Sequence, residues 1–185
     1  MCGLKSYGRI DQVHHLLLKY QVSVAVLTET EVSHDIAKSF SVEGYTVFCP
    51  SSSTTGPRGK EAGLIILVSN DVATFTIAGS DISKSDSIPT IWIQLKNRNL
   101  DLVIGGVYRR SRASADLTKS EFCQLKQQNL HAAQSGKSVL LLGDIDVDHN
   151  NTQHTMTKEA NDLLSVIEAA SMRHIPNQEP IIWYP

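Results

Sequence analysis

Apolar residues at Ile10, Val13, Leu16, Leu17 and Tyr20 recur at the three-to-four spacing of a helix with one face on a core. After Gln21 the period changes. Val22-Ser-Val-Ala-Val-Leu27 alternates loosely, reads as a strand, and delivers Glu29 at its carboxyl end within Thr28-Glu-Thr30. The pattern then predicts a short helix from His34 to Phe40 and a strand from Tyr45 to Cys49. Beyond the Ser-, Thr-, Pro- and Gly-rich loop from Pro50 to Lys60 it predicts another strand, Leu64 to Val68. Ser69-Asn-Asp71 reads as a turn into Val72 to Ile77, which makes these last two runs a hairpin. Thr90 to Leu95 and Leu100 to Tyr108, joined by the polar Lys96 to Asn99, predict a second hairpin. Thr118-x-x-Glu121 has the form of a capping box for a helix that runs to about Ser135 and closes at Gly136. Val139 to Leu142 is uniformly apolar and short, the mark of a buried strand, and a last helix covers roughly Lys158 to Ala170. The order is helix, strand, hairpin, hairpin, helix, strand, helix. It predicts an α/β fold in which two packed mixed or antiparallel sheets are flanked by helices.

Composition narrows the picture only a little. At 185 residues and 41% hydrophobic content, the chain suits one domain with a sizeable core. Seventeen basic and nineteen acidic side chains give a formal charge of -2, so any attraction to nucleic acid is local rather than global. Cys2, Cys49 and Cys123 are widely spaced and odd in number, which suits a reducing, intracellular setting, cytoplasmic or nuclear. No apolar run reaches the length of a bilayer span, and the opening Met-Cys-Gly-Leu-Lys-Ser lacks the apolar centre of a signal peptide. His14 and His15 fall on the first helix, where a surface histidine is far commoner than a ligand.

The candidate chemistry lies where strands end. The apolar run to Leu142 empties into Gly143 and then Asp144, Asp146 and Asp148 at alternate positions. Aspartates past a strand often only terminate it by bonding their own backbone. Three of them, spaced in this way, also suit oxygen ligands at the mouth of a sheet. An EF-hand loop is excluded, because His149 replaces the glycine of the sharp turn and Thr155 stands where the bidentate glutamate belongs. The Asp-x-Asp of a nucleotide-sugar transferase fits Asp144-Ile-Asp146 in form but is a weak pattern. The densest basic cluster, Arg109-Arg110-Ser-Arg112, follows another strand end, at Tyr108.

Taken together, Leu27-Thr-Glu-Thr30, Gly63-Leu-Ile-Ile-Leu67, Gly106-Val-Tyr-Arg109 and Leu141-Leu-Gly-Asp-Ile-Asp146 resemble, in order and rough spacing, the motifs of the endonuclease/exonuclease/phosphatase family. The likeness is greatest to the endonuclease domain of non-LTR retrotransposons and covers nearly the whole chain. It implies a four-layer α/β sandwich and metal-dependent phosphodiester hydrolysis of DNA. By the same resemblance, Glu29 is a ligand of Mg²⁺ or Mn²⁺, Tyr108 a hydrogen-bond donor near the scissile phosphate, and Asp144 the group that orients or activates the attacking water. The partners implied are DNA and a downstream reverse transcriptase in the parent element. Charge adds Arg109, Arg110 and Arg112 as contacts for neighbouring phosphates.

Departures from the family pattern set further expectations. Asp146 stands among the catalytic positions where the family has Asn, and an ionised Asp offers only acceptors to a phosphate. The family's closing Ser-Asp-His has no match, and the Asn of its first motif would fall just before Met1. These two features predict a single domain, residues 1–185, incomplete at both termini and lacking its first and last strands. Such a domain would have unpaired sheet edges, marginal stability and weak or no activity. A phosphatase or phospholipid diesterase of the same superfamily, and a non-catalytic remnant that binds nucleic acid, are the alternatives.

Overall fold

The computed structural model describes residues 9–30, 41–49, 63–72, 74–76, 88–96, 98, 100–109, 115–147 and 158–173. Its elements are α1 (Arg9–Lys19), β1 (Val24–Leu27), β2 (Tyr45–Phe48), β3 (Ile65–Ser69), β4 (Thr74–Thr76), β5 (Thr90–Lys96), β6 (Asp101–Tyr108), α2 (Ala115–Gln134), β7 (Ser138–Asp144) and α3 (Lys158–Ala169). The expected helix from His34 to Phe40, the 50–60 loop and the tail beyond Arg173 lie outside the described residues.

Among the described residues two sheets form, a three-stranded one in the order β1-β3-β2 and a four-stranded one in the order β4-β5-β6-β7. All pairs are antiparallel except β6 with β7, which run parallel. Alternation along the strands builds the layers, since successive side chains of a strand face opposite ways. Leu64, Ile66 and Val68 meet Ile91, Ile93, Leu95 and Ile104 between the sheets, while Ile65 and Leu67 face outward onto Leu17 and Val13 of α1. Trp92, Val103 and Val107 face outward from the second sheet onto residues of α2 and α3, among them Ala132, Leu125 and Val166. The result is helix, sheet, sheet, helix pair. This is the four-layer α/β sandwich expected from the sequence.

The β5–β6 hairpin forms in register from Thr90 opposite Val107 to Lys96 opposite Asp101. The other expected hairpin does not. The Ser69–Asp71 turn is present, with the Val72 amide donating to the Ser69 carbonyl at 3.0 Å, but β4 pairs with β5 in the opposite sheet. The reason is that β3 already has a neighbour on each side, β1 and β2, which leaves no ladder for the chain leaving the turn. The capping box is also overturned. The helix begins at Ala115, so Thr118 and Glu121 lie inside it and both are buried.

Two glycines in β6 let bulky neighbours approach. A Cβ on Gly105 would lie 2.6 Å from the Trp92 ring, and one on Gly106 would lie 2.9 Å from Ile66, across the sandwich. Strands β1 and β7 occupy sheet edges among the described residues and lie near each other across the sandwich. Their apolar side chains are correspondingly half-buried, whereas Ile65, Ile66, Leu67 and Val68 of the central β3 are fully buried.

Candidate active site

Adjacent parallel strands finish side by side, so residues at their carboxyl ends meet whatever their separation in sequence. Tyr108 and Asp144, the last residues of β6 and β7, are register partners. The ladder continues one step further, with the Arg109 amide donating to the Asp144 carbonyl at 2.8 Å. Tyr108 is 1% exposed, and its ring packs in the core between the sheets. Its hydroxyl reaches the other sheet and donates to Oε1 of Glu29 at 3.1 Å, closing a link between residues 79 positions apart.

Glu29 itself is exposed, just past β1. Its backbone is left-handed, with φ 54°, a conformation uncommon for a residue other than glycine, asparagine or aspartate. Thr30 is anchored next to it by its amide, which donates to the Gly63 carbonyl at 3.1 Å. The turn that aims the Glu29 carboxylate is therefore held on both sides.

Asp144 and Asp146 are exposed beyond the apolar run, as the pattern predicts. The Asp146 amide donates to Oδ1 of Asp144 at 3.1 Å, and Asp146 takes φ 45°. This is the local turn that aspartates form with their own backbone, and Asp tolerates the left-handed conformation as Asn does. One Asp144 oxygen thus helps shape its own loop. Asp148 lies outside the described residues.

Arg109 corrects an expectation. It is not available to a phosphate, because its side chain is 0% exposed and points into the helix layer. There Nε donates to Oε2 of Glu121 at 3.0 Å, Nη2 donates to Oγ1 of Thr118 at 3.2 Å, and the guanidinium lies 4.6 Å above the centre of the Phe122 ring. The Glu159 carboxylate stands 3.6 Å from Nη2. A charge removed from water needs such partners, and Thr118 and Glu121, three apart on one helical face, supply them. Their spacing was visible in the sequence but fitted a cap equally well. Arg110 and Arg112 lie outside the described residues.

Among the described residues, no group of three or more His, Cys, Asp or Glu side chains is close enough to hold a metal ion. Magnesium makes no such demand. It keeps several waters and is commonly bound by one or two carboxylates together with substrate phosphate. An exposed Glu29 carboxylate, oriented by the Tyr108 hydroxyl, is a hard oxygen donor of that kind.

No protein-family model matches the chain, and no curated protein matches it. Solved structures do. The chain resembles the endonuclease domain of TRAS1, a telomere-specific non-LTR retrotransposon, with a TM-score of 0.64 and 11% identity over 92% of this chain and 70% of that one. It resembles an AP endonuclease from Archaeoglobus fulgidus with a TM-score of 0.53 and 16% identity over 87% of this chain and 65% of that one. A mannosyl-6-phosphatase from Bacteroides thetaiotaomicron matches with a TM-score of 0.57 and 11% identity, over 85% of this chain and 61% of its own length. Layer order and these likenesses agree: the chain has the fold of the endonuclease/exonuclease/phosphatase family.

Proposed function

We propose that the chain carries a divalent-metal-dependent phosphodiesterase site of the nuclease kind, acting weakly on DNA. The observation that carries this is the Tyr108 to Glu29 hydrogen bond, with Asp144 in register beside it. Tyr108 links to residues at the ends of two other strands, and neither exposed carboxylate is there for packing. Glu29 would hold Mg²⁺ or Mn²⁺, which when bound polarises a phosphate and offsets charge on the leaving oxygen. The Tyr108 hydroxyl orients Glu29 by donating to its carboxylate. Asp144, exposed at its strand end, would accept a proton from a water and orient it.

Asp146 works against this chemistry. A carboxylate offers a phosphate no donor and repels it, so turnover is slow. Replacing Asp146 by Asn keeps the left-handed turn and converts an acceptor into a donor. We expect Asp146→Asn to leave the melting temperature nearly unchanged and to raise the hydrolysis rate by about tenfold or more, since one preorganised donor is worth roughly 10²–10³ at best. An unchanged or lower rate would remove Asp146 from the phosphate.

The deciding assay is nicking of supercoiled plasmid with Mg²⁺ or Mn²⁺, comparing the chain with Glu29→Ala and Asp144→Ala. Nicking abolished by both substitutions supports the proposal. Nicking that persists in both variants, or is undetectable even with Asp146→Asn, leaves a non-catalytic remnant as the better account. Cleavage of a small phosphoester in preference to DNA would favour a phosphatase. The sequence likeness to retrotransposon endonucleases extends the proposal to a reading frame that also encodes a reverse transcriptase and to action in the cytoplasm or nucleus. No helix among the described residues is long and apolar enough to cross a membrane.

A further inference from the structure

Residues 145–147 belong to no regular element, yet they carry Asp146 and its connection to Asp144. Something other than a sheet ladder must hold them. Ile145 and Val147 pack against the core formed by β6, α2 and α3, and one buried side chain bonds the segment's backbone. The ladder ends where the Arg109 amide donates to the Asp144 carbonyl at 2.8 Å, and one step beyond it the Nη1 of Arg109 donates to the Ile145 carbonyl at 3.1 Å. The remaining nitrogens of the same guanidinium are fixed by Glu121, Thr118 and Glu159, and its face by Phe122.

We infer that Arg109 is a positioning residue: a buried clamp that sets the Asp144–Asp146 segment against Tyr108 and couples the site to the packing of α2 on α3. The role rests on the reading of Asp144 as a site residue. The guanidinium is suited to it by shape. Its planar fork reaches Glu121 through Nε and Ile145 through Nη1 at once, and a lysine ammonium is a single point that cannot span both. Arg109 touches neither of the exposed carboxylates with its charge. It acts through the backbone that carries them and through Tyr108, its neighbour in the chain.

The test compares three full-length proteins: the wild type, Arg109→Lys, and the apolar pair Arg109→Met with Glu121→Leu. Amide hydrogen exchange is followed in residues 144–147 and in β5 and β6, and plasmid nicking with Mn²⁺ is measured alongside. In variants that still melt cooperatively, exchange in 144–147 is expected to accelerate about tenfold or more with β5 and β6 unchanged, a local loosening. The turnover rate is expected to fall by about 10²-fold, as small misplacements of reacting groups do, with KM for plasmid little altered. Unchanged exchange at 144–147 in a cooperatively melting variant would overturn the inference, as would loss of the whole fold in both variants, which would make Arg109 a general strut. If the wild type fails to nick above Glu29→Ala, the phosphodiesterase proposal fails while the exchange measurement still decides the clamp.

Discussion

Alanine at position 143 is expected to cost about 3 kcal/mol or more and to shift the thermal midpoint down by about 6–12 °C, for two reasons that add. Gly143 has φ 139°, a region that side-chain-bearing residues scarcely enter. A Cβ built there would also fall well inside contact distance of the Val107 carbonyl oxygen, on the strand paired with it. Neither obstacle yields locally, because the obstructing atom is backbone of β6, which is paired on both sides. Relief requires β7 to separate from β6 at the step just before Asp144, so the stability loss comes with a displaced site. Circular dichroism melts of wild type and Gly143→Ala measure it. A midpoint within about 2 °C of wild type would show that the strand end is more pliable than the register implies.

The second large effect is expected at Glu121. Truncation to alanine leaves the Arg109 guanidinium buried with its nearest carboxylate gone and, among the described residues, only the partly exposed Glu159, 3.6 Å away, as a counter-charge. Breaking a buried ion pair from one side typically costs about 3–5 kcal/mol, because an uncompensated charge remains in a poor solvent. The apolar pair Arg109→Met with Glu121→Leu removes both charges. It is expected to recover most of that loss, since well-packed hydrophobic replacements of buried pairs are often neutral or better. Urea denaturation of the wild type, Glu121→Ala and the double variant closes the comparison. A loss under about 1 kcal/mol for Glu121→Ala would mean that water or Glu159 takes over the charge.

These two predictions concern residues whose roles the linear pattern disguised. Gly143 reads as ordinary strand punctuation until the neighbouring carbonyl is seen. Arg109 reads as one of a basic cluster at a strand end, the natural place for a phosphate contact. Its burial depends on α2 laying Thr118 and Glu121 over it, and helix packing is not written in the arginine's own surroundings. The missed β3–β4 hairpin has a similar cause. Ser69-Asn-Asp71 is a real turn, but a turn does not specify which strand receives the chain when both edges of β3 are taken. Gln21 and Ser171 end α1 and α3 in the left-handed conformation with φ 50° and 52°, where a glycine would have been the recognisable signal.

The periodicities of the chain by themselves determined the elements seen among the described residues, the hairpin with a tight polar connection, and the alternation that gives each sheet two apolar faces, because these depend on neighbours two to four residues apart. Order along the chain also singled out Glu29, Tyr108 and Asp144 as ends of apolar strands. Only the tertiary structure decided that Tyr108 pairs with Asp144 and reaches Glu29, since a parallel β6–β7 pair and a tyrosine spanning two sheets are matters of register and layer spacing. It alone withdrew Arg109 from solvent. A side chain's charge is local, but whether that charge meets water or a buried carboxylate depends on what the rest of the chain packs over it.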